Sequence, residues 1–239
     1  MRQSPFANLT PVVKNLLIIN CIFFLPFLLI DHLSAAGPVT TMLGGFYFNS
    51  PNFRPWQLIT YMFMHGSFTH ILFNMFGLFI FGPILEYFMG SKRFLNFYLI
   101  CGIGAGLLQM LVQAIEVHNL IGSFTIPSPS LDQSYFQAGG PNYQALYDIY
   151  HAPLVGASGA IFGVLVGFAL LFPDLEMMAL FIPFPVKAKY YVGFYLALEV
   201  YSGFKQATGD PIAHFAHIGG AIFGFLLIKA WGLKGPGAY

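Results

Sequence analysis

Long apolar stretches alternate with short polar ones along most of the chain. A helix needs about 20 apolar residues to cross the hydrocarbon core of a bilayer, and six stretches approach that length. The predicted spans are 12–30, 58–85, 94–115, 157–172, 190–204 and 212–231. The fifth is the most polar, because Lys187 and Lys189 precede it and Glu199 lies within it. The pattern predicts an all-α membrane protein in which one bundle of six transmembrane helices forms a single domain over 1–239.

The composition strengthens this interpretation. Of 239 residues, 57% are hydrophobic and only 8% are charged, whereas soluble domains carry about 25% charged residues. A soluble fold could not cover its surface with so few charges, so the lipid bilayer is the expected surrounding. A net charge of +1 gives no reason to expect a nucleic-acid partner. Cys21 and Cys101 both lie inside apolar runs, which is typical of packing rather than of a disulfide or a metal site.

The distribution of basic residues predicts the orientation in the membrane. Loops on the cytoplasmic side carry an excess of Lys and Arg. If both termini are cytoplasmic, eight basic residues fall inside and only Arg54 and Lys205 fall outside. The eight are Arg2, Lys14, Lys92, Arg93, Lys187, Lys189, Lys229 and Lys234. Spans two, four and six then all run inward from the outer surface.

Two long loops are expected on the outer side. The segment 31–57 is rich in aromatic residues and glycine and poor in charge, which is typical of chain lying in the membrane interface. The segment 116–153 contains several prolines and glycines and is expected to hold a short helix over 143–150.

Polar side chains inside spans are expensive in hydrocarbon, so each is a candidate for chemistry. Three inward-running spans carry such groups. They are His70 and Asn74 in the second span, Gly156, Ser158 and Gly159 at the start of the fourth, and His214, His217, Gly220 and Gly224 in the sixth. Taken singly, each group also fits a packing role, because small residues and interhelical hydrogen bonds hold membrane helices together.

Their common depth favours chemistry over packing. Ser158 and His217 each lie 14 residues before the cytoplasmic end of their span, and His70 and Asn74 lie 16 and 12 residues before Glu86. At 1.5 Å per residue, 14 residues span about 21 Å. In a core about 30 Å thick, all four side chains then lie about 9 Å below the outer surface.

A serine beside a histidine at one level suits nucleophilic catalysis. A hydroxyl becomes a competent nucleophile when a base removes its proton, and imidazole can do so near neutral pH. His70, Asn74 and the backbone N–H of Ser158 could donate to the oxyanion that attack on a peptide carbonyl creates. No acidic residue lies at this depth on an inward-running span, so a Ser–His dyad is expected rather than a triad.

His217 is the expected base and His214 a secondary polar residue. Three residues separate them by about 4.5 Å along a helix, and His217 shares the depth of Ser158. The glycines Gly156, Gly159, Gly220 and Gly224 are expected to allow close packing of the fourth and sixth helices.

With these residues assembled, the sequence resembles the rhomboid family of intramembrane serine proteases over roughly Trp56 to Trp231. The motifs are Trp56, the run His65 to Asn74, Glu86, Gly90, Gly156 to Gly159, and Ala216-His217 with Gly220 and Gly224. The resemblance implies Ser158 as nucleophile, His217 as base, and His70 and Asn74 as oxyanion-hole residues. It further implies a six-helix core without cofactor or metal, and single-pass membrane substrates cut near the outer leaflet. The family usually has Arg directly after the Trp, where this chain has Gln57.

Two other functions are compatible with the polar residues. A catalytically inactive rhomboid-like protein could bind membrane helices without cutting them. A transporter could use His70, His214, His217 and Glu199 to carry protons or a metal, although no acidic residue is expected at the level of the histidines and no inverted repeat is evident. The expected location is a bacterial cytoplasmic membrane, as a multi-pass protein.

Overall fold

The computed structural model describes residues 9–31, 37–127, 133–136, 140, 142–178, 184–205 and 213–236. Its structure is almost entirely helical. The helices are α1 Pro11–Pro26, α2 Pro38–Leu43, α3 Gln57–Thr60, α4 Phe68–Met89, α5 Ser91–Ile121, α6 Tyr143–His151, α7 Ser158–Leu171, α8 Ala188–Lys205 and α9 His214–Ala230. A π-helical turn Phe27–Asp31 extends α1, a 3₁₀ turn Tyr61–Phe63 follows α3, and another covers Gln133–Phe136. Strands β1 Glu176–Met178 and β2 Pro185–Lys187 form a small antiparallel hairpin.

Three helical stretches in the described chain are long and apolar enough to cross a membrane. They are Pro11–Asp31, Phe68–Met89 and Ser91–Ile121. The helices α7 and α9 are apolar but shorter. At 1.5 Å per residue the 14 residues of α7 reach about 21 Å, so this helix cannot cover a hydrocarbon core of about 30 Å. These spans make the chain an integral membrane protein.

The predicted second span begins too early. Leu58 was the expected start, but the long helix α4 begins at Phe68. The apolar residues before it form α3 and the 3₁₀ turn, and the chain then breaks near Gly66. Ser67 caps the new helix, because its Oγ accepts a hydrogen bond from the backbone N–H of His70 at 3.1 Å. The run His65-Gly66-Ser67 interrupts the apolar pattern at this break, and a serine before an apolar run is a helix-start signal that the prediction passed over.

The other predicted spans match helices more closely. The first, at 12–30, corresponds to α1 with its π-helical turn. The third, at 94–115, extends in both directions as α5, which ends where Gly122 adopts a left-handed conformation. The fourth and fifth, at 157–172 and 190–204, correspond to α7 and α8, and the sixth to α9, although residue 212 lies outside the described residues.

Helix α7 lies at the centre of the bundle. Eleven of its 14 residues are buried, and α4, α5, α8 and α9 all pack against it. A helix that is apolar on every side belongs in the interior of a bundle. Ser158 is its first residue, so the fold places one end of the central helix at the level of the predicted site.

Glycines let α7 and α9 touch backbone to backbone. A Cβ on Gly220 would collide with the carbonyl oxygen of Gly159, and one on Gly224 would lie 2.7 Å from that of Gly163. Gly159 itself faces Ala105 of α5. The close packing expected of Gly159, Gly220 and Gly224 is therefore present in the structure, and it brings the Ser158 and His217 helices together.

The loop before α3 and the segment that holds α6 are tied to each other. Gln57 is buried, and its Nε2 donates to the carbonyls of Thr41 and Asn52 at 3.0 Å each. Its Oε1 accepts from the backbone N–H of Arg54 at 2.9 Å. The amide thus anchors the first loop at the position where the family usually has Arg. The short helix expected over 143–150 is observed as α6, and the carbonyl of its residue Tyr150 accepts from Ser50 in the first loop at 2.6 Å.

Glu86, near the end of α4, caps the start of α1. Its carboxylate accepts from the backbone N–H groups of Val12 and Val13 at 3.0 and 2.8 Å, and from Ser91 Oγ at 2.6 Å. The first N–H groups of a helix have no partner within it, and a negative charge there also meets the positive end of the helix dipole. One side chain therefore joins α1, α4 and α5.

We expect Glu86→Ala to lower the free energy of unfolding by about 2–3 kcal/mol, because charge-assisted hydrogen bonds to buried donors are lost. Unfolding of the purified protein in mixed micelles measures the effect. Glu176→Ala, at an exposed position on β1, serves as the control. Equal stability of the two variants would contradict the capping role.

Candidate active site

Ser158 lies where a loop enters α7. The preceding loop residue Gly156 has a φ of +128°, a conformation that residues with a side chain rarely adopt. Its N–H donates to the carbonyl of Tyr61 at 3.0 Å, and the Tyr61 hydroxyl donates to Gly102 in α5 at 2.6 Å. The loop is thereby fixed to α5, and Ser158 is presented at a helix N-terminus whose first N–H groups point outward.

His217 meets Ser158 across the α7–α9 contact. His217 Nε2 and Ser158 Oγ are 2.7 Å apart, which is a hydrogen bond. The imidazole is buried and stacks on the ring of Phe162, one turn along α7 from Ser158, with centroids 4.3 Å apart and planes 12° apart. The stack fixes the plane of the ring, so the structure brings together the two residues that depth had placed at one level.

His70 of α4 approaches the same point, and Asn74, one turn further along α4, lines the same cleft. A Cβ on Gly156 would lie 2.7 Å from His70 Nε2 and 3.5 Å from Ser158 Oγ. Gly156 was predicted to be a helix-packing residue. It is instead a loop residue, and its missing side chain leaves room for His70. Asn74 is buried, and its Nδ2 has no hydrogen-bond partner among the described residues. A buried amide donor without a partner is costly unless it serves a ligand.

A carboxylate also reaches the site, which the sequence prediction missed. Glu199 in α8 is buried, and its Oε2 lies 2.8 Å from His217 Nδ1 and 2.6 Å from His214 Nδ1. The expectation that no acidic residue lies at the level of the histidines is therefore wrong. It considered only the spans predicted to run inward, whereas Glu199 lies on the fifth predicted span, which corresponds to α8. The position of Glu199 inside an apolar span was the signal that could have revealed it.

Glu199 and the two histidines could in principle hold a metal, because one ligand atom from each lies within 4.8 Å of the others. A zinc ion with ligands at about 2.0–2.1 Å in a tetrahedron keeps neighbouring ligand atoms about 3.3–3.4 Å apart. The observed separations of 2.6 and 2.8 Å are shorter and have hydrogen-bond length. The cluster is therefore a hydrogen-bonded one, with a single carboxylate oxygen accepting two N–H groups.

A wide cleft opens beside these residues. Its walls include His70, Asn74 and Phe73 of α4 and Tyr195 of α8, and Ser158 and His217 also line it. The outer face of α8 carries large exposed apolar side chains, namely Tyr190, Phe194, Tyr201 and Phe204. The arrangement gives Ser158 access to an open space bordered by two helices whose surfaces suit lipid.

The sequence matches known proteins over most of its length. A model of the rhomboid domain matches residues 52–233. The chain is 30% identical to Rhomboid protease GluP of Bacillus subtilis over 77% of its own length and 27% of that protein. It is 28% identical to Rhomboid protease AarA of Providencia stuartii over 74% of its own length and 56% of that protein. It is 26% identical to the mitochondrial Rhomboid protein 1 of Saccharomyces cerevisiae over 71% of its own length and 40% of that protein.

The alignments cover only part of these relatives, since the chain spans between about a quarter and just over half of the length of each. The matched region of this chain nevertheless contains α3 to α9 and every residue of the candidate site. The chain belongs to the rhomboid family.

Proposed function

We propose that this protein is an intramembrane serine endopeptidase that cleaves transmembrane protein substrates near the outer leaflet. The observation that carries the proposal is the 2.7 Å contact between Ser158 Oγ and His217 Nε2 at the N-terminus of a helix too short to span the core. Two relatives bear the name of rhomboid proteases, which supports the same activity. No cofactor enters the proposed chemistry.

The proposed reaction begins with a proton transfer. His217 Nε2 takes the proton of the Ser158 hydroxyl as Oγ attacks the scissile carbonyl carbon, and the carbonyl π electrons move to its oxygen. The imidazolium then gives that proton to the leaving amide nitrogen, and the C–N bond breaks. Water, activated by the same imidazole, hydrolyses the acyl-enzyme and restores the hydroxyl.

The proposed oxyanion hole consists of His70, Asn74 and the backbone N–H of Ser158. Support comes from the unpartnered Asn74 Nδ2 and from the proximity of His70 to Gly156. The N-terminus of α7 adds a positive dipole end to the same region. Donors fixed before the reaction stabilise developing negative charge without having to reorganise.

We also propose how the protein lies in the membrane. Six helices cross it, in one domain over 1–239, with both termini on the cytoplasmic side, and substrates reach Ser158 through the cleft between α4 and α8. The three long apolar stretches and the lining of the cleft support this arrangement. The bacterial relatives support a bacterial cytoplasmic membrane, while the yeast relative is mitochondrial.

Labelling with a fluorophosphonate probe separates the proposed protease from its two rivals. We expect the purified protein to be labelled at Ser158, because the probe reacts with an activated serine. An inactive membrane-helix binder would not react, and a transporter would instead show proton or zinc flux in liposomes without labelling. Absence of labelling in a folded preparation would overturn the proposal.

We expect Asn74→Ala to lower kcat by about 10- to 1000-fold, the range for the loss of one oxyanion donor. KM should change little, because the donor acts mainly on the transition state. Steady-state kinetics on a cleaved transmembrane reporter measures both constants. Asn96→Ala, at an exposed position in α5, is the matched control, and an unchanged kcat in Asn74→Ala would assign Asn74 to packing.

A further inference from the structure

The proposed reaction assigns no role to the buried carboxylate of Glu199. Its Oε2 contacts Nδ1 of His217 at 2.8 Å, on the side of the ring opposite Ser158. The three side chains therefore form a continuous line from hydroxyl through imidazole to carboxylate. Building on the proposed function, we propose that Glu199 is a positioning residue that orients His217 and stabilises its protonated form, so that the chain works as a Ser–His–Glu triad.

The first support is the proton arrangement that a carboxylate imposes. An ionised carboxylate only accepts hydrogen bonds, so the 2.8 Å contact requires the proton of neutral His217 to reside on Nδ1. The lone pair then resides on Nε2, which faces the Ser158 hydroxyl at 2.7 Å. This is the tautomer that can take the serine proton. Glu199 thus holds the base in its competent form before substrate arrives.

The second support is charge. When Nε2 takes the serine proton, the ring becomes positively charged in surroundings of low dielectric constant. A carboxylate 2.8 Å away stabilises that charge far more than it would in water. Nε2 carries the moving proton from Oγ to the leaving nitrogen, while the Nδ1 proton stays in its hydrogen bond and Glu199 remains ionised.

The third support is the way in which Glu199 is itself held. A buried carboxylate in a membrane helix is retained only where it is paired. His214 Nδ1 donates to the same Oε2 at 2.6 Å, so Glu199 keeps a donor even when His217 moves during turnover. His214, predicted to be a secondary polar residue, thus helps to hold the Glu199 carboxylate in place.

The fourth support comes from the face of α8 that carries Glu199. Tyr195 lies one turn before it and stacks on Phe162, with centroids 5.4 Å apart and planes 9° apart. Phe162 in turn stacks on His217. One face of α8 thus reaches the base twice, through an aromatic stack and through a carboxylate, which is more than chance packing of one polar side chain would give.

The test measures the rate of fluorophosphonate reaction with Ser158 in the purified full-length chain. The maximal rate constant reports the chemical step, and the half-saturating probe concentration reports binding. We expect Glu199→Gln, which keeps shape but loses charge, to lower the maximal rate constant at least about 10-fold. The half-saturating probe concentration should stay within about 2-fold of the wild-type value. Glu199→Asp, which keeps the charge, should recover part of the lost rate.

Glu176→Gln, an exposed carboxylate on β1, is the matched control and should react like wild type. Rates are expressed per molecule that the probe can titrate, so a variant that merely folds poorly shows fewer sites but an unchanged rate constant.

Unchanged rate constants in Glu199→Gln, with wild type reacting normally, would overturn the triad alone. Failure of wild type to react would instead overturn the proposed protease. If zinc inhibited wild type but not Glu199→Gln, and EDTA reversed it, the cluster would be a metal site and the triad would be rejected.

Discussion

Ser158→Ala is expected to abolish cleavage while leaving the fold intact. The hydroxyl is the atom that forms the acyl-enzyme, and no second serine lies against His217 Nε2 in the described chain. Removal of the nucleophile of a serine protease costs up to about 10⁶ in kcat, so we expect a loss of at least about 1000-fold. Cleavage of a transmembrane reporter in liposomes by wild type and variant provides the measurement.

The fold should survive because the Ser158 side chain does not cap α7. Its hydroxyl contacts His217 at a site open to the cleft, so its loss removes one hydrogen bond at the edge of the core. The matched control is Ser202→Ala, which removes a hydroxyl from another position lining the cleft. Wild-type cleavage rates in folded Ser158→Ala would show that a different group attacks the substrate.

His217→Ala is expected to remove both turnover and phosphonate labelling, again by at least about 1000-fold, because Ser158 loses the only base within hydrogen-bond reach in the described chain. His214→Ala should lose less than about 10-fold, since Glu199 still accepts from His217. Labelling rates of the two variants at equal folded concentration decide between them. His214→Ala without activity, together with an active His217→Ala, would reverse the assignment of the base.

The common depth of Ser158 and His217 could be predicted because it depends on only two lengths, the helix rise and the bilayer thickness. Ser158 and His217 were counted from the ends of different helices and meet at 2.7 Å. The glycine spacing in the two helices pointed the same way, since Gly220 can approach Gly159 only where neither has a side chain. Patterns that reflect a shared physical constraint therefore carry over well from sequence to structure.

Glu199 was missed because depth was counted only along the spans predicted to run inward, and the sequence defines the ends of the fifth span poorly. Its contact with His217 depends on the rotation of α8 about its own axis. Apolar residues lie on nearly every side of α8, so no clear apolar face indicates that rotation. The break before α4 was missed for a related reason. Residues 58–63 are largely apolar and were joined to the span that follows, although His65, Gly66 and the cap at Ser67 separate the two.

The replacement of the usual Arg by Gln57 illustrates a third case. Sequence shows only that a strong donor is missing. The structure shows that the Gln57 amide donates to the carbonyls of Thr41 and Asn52 and accepts from the backbone N–H of Arg54. An arginine could not make the last of these bonds, because its guanidinium has no acceptor. The first loop is held by a different set of bonds, and Trp56 Nε1 adds another by donating to Met42 at 2.9 Å.

Helix α8 borders the cleft and also carries the acceptor of the His217 proton. Moving α8 outward by about 1 Å would stretch the 2.8 Å bond beyond hydrogen-bond range, while widening the passage beside Ser158. Admission of a substrate helix and cleavage of its peptide bond would then occupy different moments of the cycle. Such an enzyme would not cleave membrane proteins that enter the cleft only briefly. A substrate segment must stay in the cleft long enough for α8 to return. Selectivity would arise from residence time as much as from the residues flanking the cut.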